Sequence, residues 1–281
     1  DRPRPATQSF QGGRVRFDID AELHQRLGAV ARGANTTLFM VTHAAFAVLL
    51  ARLSGTGDIA VGTPIAGRGE RALDDLVGMF VNTLVLRTGV TPDVPFGGEL
   101  LESVRETDLN AFAHADVPFE RLVEVLNPQR STARHPLFQV GFSFQNLART
   151  SLELPGLTVS GLELDNGGVA QFDLQLFLTD RYDVGGGAPA GIDAVFSYAT
   201  DLFDETTVTS FARRFVRVLE SIVDDPAVPV GDIEILAPDE RTRMLAEWND
   251  TAHAVPGATL VSLFDARSPR HRMPRPSRTT P

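Results

Sequence analysis

The sequence predicts an α/β fold that forms one continuous lobe, and three observations support this prediction. Between residues 14 and 222, apolar positions switch repeatedly between the alternation of strands and a helical period of about 3.6 residues. No internal repeat of solenoid length is present. The chain has 281 residues and is 43% hydrophobic, which suits one large domain with a substantial core. We therefore expect helices packed on a sheet.

The first part of the chain predicts one strand followed by two helices. Residues 14–19 alternate as a short strand, and residues 21–31 have helical spacing. A second helix follows the break at Gly33-Ala34-Asn35, and its apolar stripe ends at a glycine. The expected caps are Asp20 for the first helix, Thr36 or Thr37 for the start of the second, and Gly55 for its end.

The middle of the chain continues with short apolar runs and longer helical stripes. Runs that are bounded by glycine, proline or polar residues predict strands, and stripes of more than about ten residues predict helices. The predicted strands are 59–63, 81–86, 137–144, 157–164, 172–178 and 192–198, and the predicted helices are 96–113 and 117–126.

A long amphipathic helix is expected to close this domain. Apolar residues from Val208 to Ile222 keep a helical stripe, Asp204 is the expected N-cap, and Pro226 lies just past the end. The sequence therefore predicts that the domain spans residues 1–225.

The composition changes after residue 225. Prolines at 226, 229 and 238 separate short apolar pieces, which predicts a linker over 226–252 with a brief helix from Asp239 to Trp248. Residues 260–266 predict one more helix. Residues 267–281 are rich in Arg and Pro without an acidic residue, so they are predicted to be disordered. A shifted reading frame would produce such an abrupt change; the alternative is a basic tail that binds an anionic partner.

Composition also excludes several classes of function. The chain has no cysteine, which excludes disulfides and thiolate metal sites, and no metal site is expected. The net charge of −10 disfavours a nucleic-acid partner, because phosphates need a basic surface. The chain contains no apolar run of about 18 residues, which is the length that a membrane-spanning helix needs. The expected location is cytoplasmic, with no nucleic acid and no membrane as partner.

Four stretches of the sequence combine into a family pattern. The first is Val77-Gly78-Met79-Phe80-Val81-Asn82-Thr83-Leu84 with Arg87, and the second is His114-Ala115-Asp116-Val117-Pro118-Phe119-Glu120-Arg121-Leu122-Val123. The third is Arg130-Ser131-Thr132-Ala133-Arg134-His135-Pro136-Leu137-Phe138-Gln139-Val140, and the fourth is Asp58-Ile59-Ala60-Val61-Gly62-Thr63-Pro64-Ile65-Ala66-Gly67-Arg68. Together they resemble the condensation domain of nonribosomal peptide synthetases, and the resemblance extends from residue 1 to about residue 266.

The resemblance implies a more specific fold and domain order. Residues 1–225 would be the C-terminal lobe of a condensation domain, which is a chloramphenicol-acetyltransferase-like two-layer α/β sandwich. Residues 226–252 would be the linker from condensation to adenylation domain, and residues 253–266 the start of the adenylation domain. The implied partners are the N-terminal lobe of the condensation domain, the upstream and downstream peptidyl carrier domains, and the adjacent adenylation domain.

The implied activity is amide bond formation between aminoacyl or peptidyl thioesters. These thioesters are carried on 4'-phosphopantetheine by the carrier domains, so no cofactor is expected to bind this chain directly. The family's His-His-x-x-x-Asp-Gly motif belongs to the N-terminal lobe, and no two of the six histidines here are adjacent. No catalytic residue is therefore predicted, and the chain alone is expected to be inactive. The alternatives are a non-catalytic module that binds carrier domains and a stand-alone acyltransferase of the same superfamily.

Two residues are candidates for the wall of the substrate tunnel that the resemblance implies. Asn82 could hold a thioester or an amine, because an amide both donates and accepts hydrogen bonds. The alternative is that Asn82 satisfies buried backbone groups at the start of a strand. Thr63, at the end of its strand, could border the same tunnel.

The other motif residues are predicted to be structural. Gly62, Gly67 and Gly78 are expected to supply backbone freedom, Asp116 to cap the helix that begins near Pro118, and the two histidines His114 and His135 to have no catalytic role. His135 precedes Pro136, which restricts it to an extended backbone, so it is expected to start the next strand. Arginines 68, 87 and 134 are expected to form ion pairs, and Asp173 to anchor the crossing towards the N-terminal lobe. The complete structural set is Gly62, Gly78, Phe80, Arg87, Asp116, Pro118, Phe119, Arg134, Pro136, Phe138 and Asp173.

Overall fold

The computed structural model describes residues 1–68, 73, 75–145, 168–183, 187–254 and 257–267. The chain divides into two compact units, Asp1–Leu236 and Ala237–Pro281. The described part of the first unit contains a six-stranded sheet with the order β1-β6-β5-β4-β2-β3. The mixed α/β fold predicted from the sequence is confirmed.

The N-terminal elements follow their predicted signals closely. Strand β1 is Gly12–Ile19, and helix α1 is Ala21–Gly33, where the Asp20 carboxylate accepts the N–H of Leu23 at 2.8 Å. Helix α2 is Leu38–Ser54. Thr37 caps its start, and Gly55 ends it with a φ of 72°, a left-handed conformation that glycine adopts without steric cost.

The next elements build the edge of the sheet and the helices beside it. Strand β2 is Asp58–Ile65 and pairs antiparallel with β3, Asn82–Gly89. The predicted helix 96–113 is divided into one turn, Phe96–Leu100, and α3, Leu101–Ala113, because Gly98 has a non-helical backbone. Helix α4 is Phe119–Leu126 and begins two residues later than predicted.

The remaining elements complete the sheet and close it with a helix. Strand β4 is Val140–Gln145, β5 is Leu174–Tyr182, β6 is Pro189–Ala199, and helix α5 is Glu205–Asp224. The predicted strand 137–144 was wrong at its start. The side chain of Phe138 packs in an aromatic cluster, and its backbone does not pair with a neighbouring strand. The predicted strand 157–164 lies outside the described residues.

Helix α5 starts at the predicted place but is capped differently from the prediction. Asp204 occupies the N-cap position, yet its side chain accepts no capping hydrogen bond. Instead the carboxylate of Asp1 accepts the N–H of Asp204 at 2.8 Å and the hydroxyl of Thr207 at 3.0 Å. The first residue of the chain therefore caps this helix from outside.

One face of the sheet packs on helices α1, α2, α3 and α5 and forms the core. Alternate residues of each strand point into this core, as the two-residue period of a strand requires. The opposite face carries more polar side chains, including the exposed Arg14 and Arg16 of β1 and the half-buried Gln175 of β5. The largest fully buried side chains include Phe46, Phe96, Phe142, Phe196 and Phe215.

The first part of the predicted linker packs inside the first unit. Val230 and Ile233 are each 1% exposed and belong to the core. The guanidinium of Arg52, in the last turn of α2, donates to the carbonyl oxygens of Gly231 at 2.6 Å and Ile233 at 3.2 Å. The compact unit therefore extends to Leu236, beyond the boundary predicted at residue 225.

The second unit contains short helices in its described part. Helix α6 is Pro238–Thr242, followed by one wider turn, Arg243–Glu247, and α7 is Leu260–Arg267. The predicted tail beyond residue 267 lies outside the described residues.

Among the described residues, no single helix has the length and apolar character of a membrane span, although α1 and α2 meet these criteria together across a bend of 102°. No group of three or more potential metal-ligating side chains occurs in the part of the chain that the structure describes.

Candidate functional site

The four motif stretches, which are separated in sequence, meet around Asn82 at the start of β3. Two clefts adjoin there. The first cleft, about 530 Å³, lies between residues 65–68, residues 80–82 and the loop that leads into α4. The second cleft, about 750 Å³, lies between residues 81–83, α4 and the loop over residues 128–136. Val81, Asn82 and Glu120 line both clefts.

Asn82 holds the loop before α4 onto the sheet. Its Nδ2 donates to the carbonyl oxygens of Ala115 and Val117, each at 2.9 Å. Its Oδ1 accepts the N–H of Thr83 at 2.8 Å and the N–H of Phe119 at 3.2 Å. Both donors and the acceptor of the amide are therefore engaged within the chain. In this structure Asn82 shapes the clefts by fixing their common wall.

The cap of helix α4 differs from the prediction. Asp116 was expected to cap this helix, but the N-cap position is Pro118, and the first free N–H, that of Phe119, is accepted by Asn82 instead. The reason is that Pro118 begins the turn with a φ of −60°, so the helix starts at Phe119, three residues after Asp116. Asp116 lines the first cleft.

Arg68 organises the first cleft through an aromatic contact and a hydrogen bond, and its predicted ion pair stays a prediction. Its guanidinium carbon lies 4.2 Å from the centre of the Phe80 ring, and its Nη2 donates to the carbonyl of Leu76 at 2.8 Å. Gly67 has a φ of 64°, so the backbone freedom expected of it is used. Gly78 has no positive φ, and a side chain there would lie 3.1 Å from the Phe80 ring.

The second cleft is floored by an aromatic cluster that contains His135. The imidazole stacks on Phe119 with ring centres 5.2 Å apart and lies 4.2 Å from Phe138 and 5.2 Å from Phe172. Its Nδ1 is buried and has no hydrogen-bond partner among the described residues. Burial lowers the pKa of His135, because the charged form loses its hydration. The prediction that His135 starts a strand was wrong; it lies in the cleft wall.

Gly62 is required for close packing against this aromatic cluster. It lies in β2 without a positive φ, so the expected role of backbone freedom was wrong. A Cβ at this position would lie 2.0 Å from the Phe138 ring, which is 2% exposed. The ring thus occupies the space that a side chain at Gly62 would need.

Charged side chains of both signs surround the second cleft. Arg130 and Arg134 lie on its loop side, and Glu120 and Glu124 lie on α4. Arg134 donates to the side-chain oxygen of Gln139 at 3.4 Å, and its predicted ion pair does not occur within the described parts of the chain. The cleft thus presents both hydrogen-bond donors and acceptors beside an apolar floor.

Three further predicted residues lie away from these clefts. Thr63 is 2% exposed on the core side of β2 and lines neither cleft. Arg87 forms a two-hydrogen-bond ion pair with Asp58, both distances being 2.8 Å, and this contact lowers the pKa of Asp58. Asp173 pairs with Arg4 near the N-terminus of the chain.

The sequence did not reveal a buried acid and base pair beneath the sheet. His43 of α2 and Asp108 of α3 are both fully buried, and His43 Nδ1 lies 3.1 Å from the Asp108 carboxylate. The imidazole stacks on Phe142 with ring centres 5.8 Å apart. The signal that could have found the pair is a polar residue inside an otherwise apolar helical stripe, in both α2 and α3.

His135 should make the stability of the protein fall as the solution becomes acidic. Its pKa in the folded state is lowered, so below an ordinary pKa of about 6.5 the unfolded state binds a proton that the folded state does not. This contribution favours unfolding as the pH falls from about 6.5 towards the folded-state pKa. His24, also buried, has a lowered pKa and acts in the same direction.

The replacement His135→Phe keeps a ring in the cluster and removes this titration. We expect the free energy of unfolding, measured in urea, to fall less between about pH 7.5 and about pH 5.5 in this variant than in the wild type. His114→Asn, which changes an exposed imidazole, is the control for net charge. Equal losses in His135→Phe and the wild type would contradict the assignment.

Comparison with known proteins gives a consistent family. The family model described as Condensation domain matches residues 1–245. CymA of Salinispora arenicola, described as a probable nonribosomal peptide synthetase, is 48% identical over 267 residues, and the dimodular nonribosomal peptide synthase of Bacillus subtilis is 44% identical over 268 residues. Each match covers 95% of this chain, and 3% and 11% of those two proteins.

A solved structure shows the same fold. The X-domain from teicoplanin biosynthesis, determined in complex with OxyB, superposes with a TM-score of 0.74 at 34% sequence identity. The match covers 84% of this chain and 51% of that chain. This chain therefore spans about half of the solved relative and a small part of the curated synthetases.

Proposed function

This chain belongs to the condensation-domain family of nonribosomal peptide synthetases, and from this premise we propose that it is the C-terminal lobe of a domain that forms amide bonds. Its substrates would be aminoacyl or peptidyl thioesters held on the 4'-phosphopantetheine arms of carrier domains. Its partners would be the N-terminal lobe, the two flanking carrier domains and an adenylation domain.

The observation that carries this proposal is the meeting of all four motif stretches at the two clefts around Asn82. Residues from all four stretches line one or both clefts. A recognition site for an extended thioester needs an apolar surface with a few placed polar groups, and the second cleft combines these. We therefore assign the wall of the substrate tunnel to the clefts, with Asn82 as the residue that fixes their shape.

This chain would supply binding surface and leave proton transfer to its partner lobe. The motif stretches contain two histidines, His114, whose Nδ1 is 2.8 Å from the carbonyl of Asn110, and His135, which lies in the aromatic cluster. The family motif requires two adjacent histidines, and neither of these residues has a histidine next to it. The chain alone would therefore be inactive in condensation.

The remaining domain assignments follow from the same proposal. Residues 237–252 would connect the lobe to an adenylation domain, and helix α7 would be the first helix of that domain. Its exposed apolar side chains, Leu260, Val261 and Phe264, are 86%, 69% and 73% exposed. Such a surface is expected of a helix that packs on further parts of its own domain.

A second candidate function is favoured by the solved relative. That relative is an X-domain in complex with OxyB, so a domain of this fold binds another protein. By analogy, this chain would be a non-catalytic module that docks a partner protein, a carrier domain included. The amide-forming proposal is preferred because both curated relatives reported above are described as nonribosomal peptide synthetases or synthases.

A chimeric condensation domain tests the proposed activity. The chain is joined behind the N-terminal half of a condensation domain from the dimodular synthase of Bacillus subtilis, and product on the acceptor carrier is measured by mass spectrometry. We expect amide product from the chimera and none from the chain alone. A folded chimera that binds carrier domains without forming product would reject the amide-forming proposal in favour of the docking module.

A pair of substitutions tests whether the clefts are the tunnel wall. Thr83 lines the second cleft, and Gly89 lies on the same face of the same strand outside both clefts, with nothing within 4 Å of a Cβ there. Filling the cleft with Thr83→Phe should lower the condensation rate of the chimera by about 100-fold, because a displacement of about 1 Å can cost that much. The matched control, Gly89→Phe, should retain most of the activity. Equal effects of the two substitutions would show that the substrate lies elsewhere.

A further inference from the structure

The first eleven residues, here called the N-terminal strap, run along the outside of the second cleft. The strap, Asp1–Gln11, begins at the N-terminus of α5, where Asp1 caps the helix. It ends at Gln11, whose carbonyl accepts the N–H of Thr200 at 3.0 Å just after β6. Between these two anchors it passes the loop over residues 128–136 that forms one wall of the cleft.

Arg4 joins the strap to the sheet and to the cleft wall at once. Its Nη1 donates to Asp173 Oδ1 at 2.8 Å and to the carbonyl of Ala133 at 3.0 Å, while its Nη2 donates to Asp173 Oδ2. The side chains of Arg4 and Asp173 are 24% and 15% exposed. The hydrogen bond to Asp173 raises the pKa of Arg4, so the guanidinium stays charged. A two-point pair of this kind fixes direction as well as distance.

Asp173 is a rigid anchor for this pair. Its own N–H donates to the carbonyl of Gln139 at 3.0 Å, and its carbonyl accepts the N–H of Ala199 at 3.0 Å. These bonds place Asp173 at the start of β5, between β4 and β6 in the sheet. Because Asp173 is fixed in the sheet, Arg4 fixes the position of Ala133 relative to the sheet.

Two further hydrogen bonds connect the strap to the same wall. The hydroxyl of Thr132 donates to the carbonyl of Ala6 at 2.8 Å, and the N–H of Gln8 donates to the carbonyl of Thr132 at 3.2 Å. Within the described residues, every hydrogen bond that ties residues 128–133 to a distant part of the chain comes from the strap. The loop itself supplies Pro128, Arg130, Ser131, Arg134, His135 and Pro136 to the cleft.

We propose that the N-terminal strap positions the wall of the second cleft, with Arg4 as the positioning residue. The clamp from Arg4 through Asp173 and Ala133 holds the loop over residues 128–136 against the aromatic floor. Loss of the clamp releases the loop while the sheet and its core helices stay folded. This inference concerns the shape of the cleft and holds for whichever ligand the cleft binds.

Trypsin provides a direct measurement of the loop. The chain contains no lysine, so trypsin can cleave only after arginine, and the wall contains two such sites, after Arg130 and after Arg134. Cleavage requires the loop to open locally. In Arg4→Gln, we expect cleavage at these two sites to become about tenfold faster, since a charge-assisted contact of the loop is lost. The substitution does not alter the set of cleavable bonds, because Pro5 follows Arg4 and blocks that bond.

The controls separate positioning from general destabilisation. Arg2→Gln removes a second strap arginine, one that pairs with Asp204 and does not contact the loop, and it should leave the two cleavage rates unchanged. Cleavage after Arg52, inside α2, reports unfolding of the core and should stay constant. Arg4→Lys should restore part of the protection, because an ammonium keeps the charge but not the planar fork. Asp173→Asn should reproduce the effect of Arg4→Gln.

The outcome decides this inference separately from the proposed function. Equal cleavage rates of the loop in Arg4→Gln and Arg2→Gln would overturn the proposal that the strap positions the cleft wall. Faster cleavage of the loop alone, with partial rescue by Arg4→Lys, would support it even if the chimeric domain formed no amide. An inactive chimera would overturn the proposed function without bearing on the strap.

Discussion

Replacement of Asp108 by alanine should lower the free energy of unfolding by about 1–3 kcal/mol, the range typical of leaving a buried hydrogen-bonding group unsatisfied. Asp108 and His43 are both fully buried, and the carboxylate is the hydrogen-bond partner of the imidazole. His43 Nε2 has no partner among the described residues. The variant would therefore leave an imidazole in the core with neither nitrogen hydrogen-bonded within the described residues. Urea unfolding monitored by circular dichroism measures the change.

A control and a rescue make this result specific to the pair. Glu106→Ala removes an exposed carboxylate from the same helix and should change stability by no more than about 0.5 kcal/mol. The double variant His43→Leu/Asp108→Leu replaces the pair with apolar side chains and should be more stable than Asp108→Ala, because no polar group is left unpaired. A loss in Asp108→Ala no larger than that in Glu106→Ala would show that the pair is not a significant contact.

Most of the fold could be predicted from the sequence because its signals are local. The caps Asp20, Thr37 and Gly55 have residue types that satisfy helix ends wherever they occur. Apolar residues at helical spacing predicted α2, which is buried on nearly all sides, and the amphipathic α5 in the same way. The errors lie where a distant residue replaced the local signal, as when Asn82 caps α4 instead of Asp116, and when Asp1 caps α5 instead of the Asp204 side chain.

The candidate site was predictable as a set of motifs but not as a geometry. The resemblance identified all four stretches, yet only the fold brings residues 65–68, 80–83, 115–120 and 130–136 together. The buried face of Thr63 follows from the register of β2, which a short apolar run does not define. The sequence did not predict that the unit extends to Leu236. The prolines of this segment are typical of a linker, although its apolar residues Val230 and Ile233 reach the core.

The second large effect concerns Gly62, where alanine should lower the free energy of unfolding by about 1–3 kcal/mol, the range expected when a packed core is overfilled. The added methyl group would lie 2.0 Å from the Phe138 ring. That ring has little room to retreat, because it is 2% exposed and contacts His135 and Phe172 at 4.2 and 5.0 Å between ring centres. The strain would therefore reach the floor of the second cleft. Thermal or urea unfolding measures the loss of stability.

A double-mutant cycle shows whether the ring is the cause. Phe138→Leu removes ring atoms from the space that the methyl group needs, so Gly62→Ala should cost less in that background, with a coupling of about 0.5–3 kcal/mol. Gly89→Ala is the matched control, since Gly89 also lies in a strand and nothing is within 4 Å of a Cβ there. If Gly62→Ala costs the same with and without Phe138, the glycine is needed for a reason other than contact with this ring. If the costs differ as expected, one steric contact beneath the cleft links Gly62 of the fourth motif stretch to Phe138 of the third.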